Sequence, residues 1–143
     1  MQSKFVQIAA ISFFGFILWI IYLANTGGSS IFFELIRGIP YGDKLGHFGL
    51  YGVLTLLFNM ASGFKSFTLL SYAKSGLRYQ KIHCYWGTLL VTSFAVIEEI
   101  SQGWIDNRTL DSQDLLADFV GISCFTLISF WISKTKTMVN RSV

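Results

Sequence analysis

Four stretches of this chain run for about 18 to 20 residues with almost no charge: 5–24, 45–62, 86–104 and 115–133. The ionisable exceptions are few: His47 in the second, Glu98 and Glu99 near the end of the third, Asp118 in the fourth. An α-helix needs ~20 residues to cross ~30 Å of hydrocarbon. In lipid the backbone has to satisfy its own hydrogen bonds, and a chain with one proline does so most simply as helices. The runs predict an all-α membrane protein, a four-transmembrane-helix bundle in a single domain covering 1–143. Composition agrees. With 52% hydrophobic and 13% charged residues, 143 residues carry more apolar surface than a soluble domain of this size can cover. Disordered, disulfide-stapled and low-complexity classes are excluded on the same grounds.

The charges orient the bundle. Lys4, the 63–85 loop (Lys65, Lys74, Arg78, Lys81) and the C-terminal tail (Lys134, Lys136, Arg141) hold eight basic residues and no acidic one. The opposite side holds Arg37, Lys44 and Arg108 against all eight carboxylates. Four spans put both termini on one side, and the positive-inside rule makes that side cytoplasmic. The expected location is the bacterial cytoplasmic (inner) membrane, multi-pass. The net charge of +3 then reflects topology. No basic patch interleaved with aromatics points to nucleic acid. Trp19, Tyr22 and Trp104 fall at outer helix ends, Trp86 and Trp131 at inner ones, where half-wet rings belong. The first run is longer than a signal-peptide core and reads as a retained anchor. Cys84 and Cys124 sit at different depths, so they read as packing residues, with no zinc or redox spacing.

Between the runs, 25–30 (NTGGSS) is a turn-rich exit, 31–37 (IFFELIR) is too short to span, and Pro40 breaks the chain before the second helix. In the inner loop, Lys74, Arg78 and Lys81 recur at helical spacing, with Phe67, Leu69, Leu70, Ala73 and Leu77 as an apolar side. Two readings stand: a basic amphipathic helix on the inner leaflet, or a solvated basic loop.

Ionisable groups near lipid are costly, about 2.5–3.5 kcal/mol each at mid-helix and less toward the ends. Here nearly all share one depth. Asp43, His47 and Tyr51 lie four apart on the second helix, with Lys44 three before His47. Glu98, Glu99 and Gln102 share the third. Asp111, Asp114, Asp118 and Gly121 form a stripe on the fourth, and Arg108 sits in the short loop before it. In an antiparallel bundle these stripes converge at the outer mouth and leave a dry remainder. Asp43 can orient His47 as a general acid or base, or simply favour a helix N-terminus. Asp43, His47 and Glu99 offer ligands for a divalent metal, without any established metal-binding motif. Of the adjacent pair, Glu99 is favoured as the inward carboxylate. Arg108 can grip an anionic group or pair with Glu99, Asp111 or Asp114. Asp118, deepest of the carboxylates, needs a partner if it is charged, and Lys44 and Arg108 are the candidates.

The order Asp43-Lys44-x-x-His47-x-x-x-Tyr51, then Glu99-x-x-Gln102-x5-Arg108-x5-Asp114-x3-Asp118-x-x-Gly121, resembles the VanZ-like family of small bacterial membrane proteins. The resemblance covers 43–121, more than half of the chain. It implies a polytopic membrane protein of the cell envelope, in a family whose founding member is associated with resistance to the antibiotic teicoplanin. It supplies no biochemical activity. Asp118 stands where that family more often carries Asn. Three functions remain open: a protein that binds or shields an amphiphilic envelope ligand; an intramembrane enzyme with His47 as acid/base, Asp43 and Glu99 beside it and Lys44 and Arg108 as charge stabilisers; or a proton-coupled carrier using Asp118 and His47. For the carrier, a homo-oligomer would have to complete the path.

Overall fold

A computed structural model describes residues 4–72, 79–106 and 108–139. The chain is mostly helical. Its long helices are α1 (Lys4–Asn25), α3 (Gly42–Ala61), α4 (Trp86–Gln102) and α5 (Ser112–Val139), with a short α2 (Ile31–Arg37) between the first two. The four apolar runs thus coincide with the four long helices, to within a few residues at most ends. α1 and the Ser112–Thr135 part of α5 are long and apolar enough to cross a membrane by length and composition, at mean hydropathies of 2.2 and 1.9.

The fold is not purely α. The inner loop forms two strands, β1 (Ser66–Tyr72) and β2 (Tyr79–Tyr85), paired antiparallel with Ser66 opposite Tyr85 and Tyr72 opposite Tyr79. Over 66–72 and 79–85 this corrects both readings of the loop, the amphipathic helix and the solvated basic segment. Phe67, Thr68, Tyr72, Tyr79, Ile82 and Tyr85 are strand-forming residues. Ala73, Lys74, Leu77 and Arg78, on which the helical spacing rested, lie outside the described residues. Phe67 packs on Trp86 with ring centroids 4.7 Å apart, which seats the hairpin on the start of α4.

α3 is the central helix, packed against α1, α4 and, most extensively, α5. Small residues permit the close approach. A Cβ on Gly121 would lie 2.2 Å from the Phe48 carbonyl oxygen, one on Gly52 2.4 Å from the Phe125 ring, and one on Gly87 2.6 Å from the Asn59 backbone nitrogen. Ile17, Tyr51, Leu54, Val91, Ala95 and Ile122 form the apolar centre, with Phe14 and Phe94 edge to face beside it at 5.1 Å. Outward faces are apolar as well: Ile8, Leu90, Ile97, Leu116 and Leu127 are all more than half exposed.

The centre separates two polar regions, so the expectation of a dry remainder does not hold. Toward the hairpin, fully buried Asn59 donates to Thr88 Oγ1 (3.0 Å) and Ser129 Oγ (3.1 Å) and accepts from the Thr88 backbone N–H (3.0 Å). Thr126 joins through Thr88 at 2.9 Å. Thr88 lies in the first turn of α4, where Tyr85 provides no side-chain cap, so Asn59 caps α4 from a neighbouring helix. Asn59→Ala removes that cap and two further bonds. It should cost about 2 kcal/mol, given ~1 kcal/mol for a cap and ~0.6 for an average interhelical bond. Unfolding of purified protein in mixed micelles measures the loss, and a change below about 0.5 kcal/mol would refute the capping role.

At the opposite end α2 is capped by Ser30, whose Oγ accepts from the Phe33 N–H at 3.2 Å. The chain then turns back through Pro40 and Tyr41, the latter in the left-handed region at φ 58°. Gly42 follows so closely under α2 that a Cβ would meet the Ile36 carbonyl oxygen at 2.1 Å. This tight return lays α2 over the start of α3.

Candidate functional site

Along α3, Asp43, His47, Tyr51, Thr55 and Asn59 recur at every fourth residue. Asp43 and His47 belong to the mouth of the bundle, where α3 meets the end of α4 and the start of α5. Here the stripes anticipated from spacing do converge, although the pairing within them differs.

Lys44 is the hub on the solvent side. Its Nζ bonds Asp111 Oδ2 (2.7 Å), Asp43 Oδ2 (3.2 Å) and Asp114 Oδ1, tying the first turn of α3 to the first turn of α5. The Lys44 ammonium and the Gln113 backbone N–H hold the Asp111 carboxyl below its ordinary value of 3.8. A depressed folded value means that this contribution is in place above the ordinary Asp range. It is lost as pH falls through the folded value.

His47 is oriented by Asp118, not by Asp43. His47 Nδ1 lies 3.0 Å from Asp118 Oδ1, whereas Asp43 is largely exposed and faces Lys44. The reason is geometric. Asp43 lies one turn before His47 on α3 and is held by Lys44, while Asp118 on α5 reaches across to the ring. Asp118 therefore finds its partner in His47, and neither Lys44 nor Arg108 supplies it. With Nδ1 as the donor to Asp118, Nε2 is the ring nitrogen left to act. Nε2 lies 3.8 Å from Asp114 Oδ2, and Tyr51 stacks against the ring at 6.0 Å. The second oxygen of fully buried Asp118 has no hydrogen-bond partner among the described residues.

Both glutamates face inward, which corrects the choice of Glu99 alone. Glu98 is 7% exposed and Glu99 1%. Gln102 Nε2 contacts Glu98 (3.0 and 3.1 Å) and Glu99 (3.0 Å), while its Oε1 accepts from Arg108 Nε (3.2 Å). Arg108 Nη2 stands 3.9 Å from Glu98, so Arg108 engages Glu98 and Gln102, not the Glu99, Asp111 or Asp114 partners expected. Glu99 accepts the Asp111 backbone N–H at 2.7 Å and so pins the loop before α5. The Tyr51 hydroxyl completes the group, 3.4 Å from Glu98 Oε2. Glu98 and Gln102 are four apart, and that spacing was the available signal for an inward Glu98.

The expected metal set of Asp43, His47 and Glu99 does not assemble, because Glu99 is taken up by Gln102 and the Asp111 N–H. A geometric trio of Asp43, His47 and Asp114 does form, with ligand atoms within 4.8 Å of one another. Lys44 already sits against two of its three members and supplies the cation there.

Beside His47 lies a cavity of about 80 Å³. Ile17, Ile20 and Ile21 of α1 and Phe33 and Ile36 of α2 form an apolar wall. Asp43, His47, Tyr51, Glu98 and Arg108 form an ionisable wall opposite. It adjoins a vestibule of about 580 Å³ toward the turn regions, with which it shares Ala24, Phe33, Ile36, Asp43 and Arg108. The apolar wall was not legible from spacing, since α1 reads as a plain anchor. Comparison of the chain with protein-family models, with curated proteins and with solved structures found no match.

Proposed function

We propose that the chain is a multi-pass protein of the bacterial cytoplasmic membrane that seats an amphiphilic envelope ligand, such as a lipid-linked cell-wall intermediate or a lipoglycopeptide, between α1–α2 and α3–α4. The observation that carries this reading is the two-walled cavity. One side suits a hydrocarbon tail, the other a polar head, and both meet at a mouth built from helix ends. Such pairing of apolar lining with a few convergent polar groups is the usual form of a small-molecule site. The resemblance to VanZ-like proteins makes shielding of the envelope from teicoplanin-type glycopeptides the matching physiological role.

Four spans are supported by the inverted distribution of side chains. Glu98, Glu99, Gln102, Asp114 and Asp118 are buried, while Leu90, Ile97, Trp104, Leu116 and Leu127 are exposed. α3 and α4, at 20 and 17 residues, extend about 30 and 26 Å at 1.5 Å per residue, close to the hydrocarbon thickness. Lys4, Lys65 and Lys134 share the hairpin end, and the positive-inside rule supports a cytoplasmic position for it. With Cys84 and Cys124 replaced by Ser, a cysteine at Thr109 should react with a membrane-impermeant maleimide in intact cells. One at Lys65 should react only after permeabilisation, and the reverse pattern would invert the topology.

The functional test uses cells producing the chain at matched levels. Compared as inserted, folded protein, His47→Ala and Arg108→Ala should lose at least about fourfold of any protection against teicoplanin. Wild-type levels of protection in both variants would refute a site at the cavity. A second reading, an enzyme acting on a lipid-linked substrate, is favoured by the Asp118–His47 pair with His47 on the cavity wall, the arrangement of an oriented general base. Turnover of radiolabelled envelope lipids by purified protein separates it from binding alone.

A further inference from the structure

Among the described residues the only sheet is the hairpin, and it has two strands. A lone two-stranded hairpin is marginally stable in water, and a further strand or a packed face is what secures one. The base is anchored by Phe67 on Trp86 and by the Tyr85 hydroxyl, 2.9 Å from Ser133 Oγ. Beyond that, β1 packs extensively only against β2 among the described residues.

The backbone defines which groups are left over. The Trp86 N–H donates to the Lys65 carbonyl at 3.1 Å, one step beyond the Ser66–Tyr85 pair. In an antiparallel ladder hydrogen-bonded pairs alternate with non-bonded ones. Phe67, Leu69 and Ser71 therefore bond across to Cys84, Ile82 and Gln80, and the N–H and C=O groups of Ser66, Thr68, Leu70 and Tyr72 point away from β2. On the far side of β2 the outward backbone groups belong to Tyr79, Lys81, His83 and Tyr85. The two edges are not equally protected. The β2 edge includes Lys81, the residue type that most often blunts an edge, and Tyr85 is buried at its base. The β1 edge, SFTLLSY, holds no charge, proline or glycine over seven residues, which is the composition that favours strand pairing.

We propose that β1 pairs antiparallel with β1 of a second copy of this chain across a two-fold axis, giving a four-stranded sheet in the order β2–β1–β1–β2. The outward groups fix the register. Full overlap makes Ser66 with Tyr72, and Thr68 with Leu70, the hydrogen-bonded pairs between copies, and sets Leu69 opposite the partner's Leu69. A second copy fits this edge better than a foreign strand for two reasons. Copies inserted the same way carry their hairpins at the same height beside the same membrane. An uncharged strand also meets no like charge when it pairs with itself. An isologous contact closes on itself, and Lys81 guards the outer strands, so the product is a dimer and not a filament.

The test uses the full chain in lipid vesicles, with Cys84 and Cys124 replaced by Ser and copper phenanthroline as oxidant. Facing residues of a non-hydrogen-bonded pair lie ~4.5 Å apart at Cα, within disulfide reach. Leu69→Cys protein should therefore cross-link to itself. Phe67→Cys protein should link to itself at least about fivefold less, yet link to Ser71→Cys protein when the two are reconstituted together. Equal self-linking at 67, 69 and 71 would make the pairing parallel and overturn the proposal. So would a yield at 69 no higher than that of a Thr109→Cys control at the opposite end of the molecule. A second measurement needs no oxidant: single-molecule photobleaching counts copies per vesicle at high dilution. Thr68→Pro deletes an outward N–H and none of the β1–β2 ladder, so it should lower the dimer fraction at least about fivefold. Thr68→Lys, which keeps every backbone donor and adds a cation to the edge, should do the same. Dimers that persist in both variants would place the interface elsewhere, and wild-type protein that stays monomeric would leave the edge without its partner; either result overturns the proposal.

Discussion

Gly121→Ala should destabilise the protein by about 3 kcal/mol, the upper part of the usual range for overpacking a close-packed contact. The added methyl would sit 2.2 Å from the Phe48 carbonyl oxygen, a backbone atom that no side-chain rotation can move aside. Relief requires α5 to withdraw from α3, along the contact that carries both the His47–Asp118 and Lys44–Asp111 pairs. The sign is diagnostic, because glycine to alanine within a helix is otherwise favourable by about 1 kcal/mol. Gly49→Ala is the control: it lies on the same helix as Phe48, and an added Cβ there meets nothing within 4 Å. Reversible unfolding in mixed micelles should move the two variants in opposite directions. A stabilised Gly121→Ala protein would mean that α3 and α5 do not approach as described.

Lys44→Met should be nearly as damaging, at about 2–3 kcal/mol. Removing one partner of a buried pair leaves its counter-charges uncompensated, typically at 3–5 kcal/mol. The partial exposure of Lys44, 24% at the side chain, brings the value down. Asp114, 9% exposed at the side chain, bears most of the cost. Neutralising it as well should recover part of the loss, so the double variant Lys44→Met with Asp114→Asn should be more stable than the sum of the single changes predicts. Strict additivity in that cycle would show that the contact carries no coupling.

Much of this arrangement is legible in the sequence, and the parts that are not fail for definable reasons. Charge-free runs located the four long helices because a helix is long compared with any uncertainty at its ends. Three- and four-residue spacings placed His47, Asp114, Asp118, Gln102 and Arg108 at one mouth, because a helix end is fixed by the end of its apolar run. Pairing within the mouth depends on how far apart the helices lie and how they are rotated, which one strand of text does not encode. Asp118 therefore reached His47, while Asp43, read either as the orienter of that ring or as a helix N-terminal carboxylate, met Lys44, and Glu98 turned inward beside Glu99. The hairpin was missed because three cations at helical spacing outweighed the aromatic and β-branched residues around them. The Asn59 network was missed because isolated Asn, Thr and Ser in an apolar run look incidental until three helices bring them together.

The line of polar groups on α3 has a further consequence. Adding a single residue anywhere between His47 and Asn59 would twist everything downstream by about 100° about the helix axis. One of the two networks would then be aimed at the greasy exterior however the other settled. The two ends of the molecule are geared to the same shaft, so length changes in α3 are ruled out even where individual substitutions are tolerated.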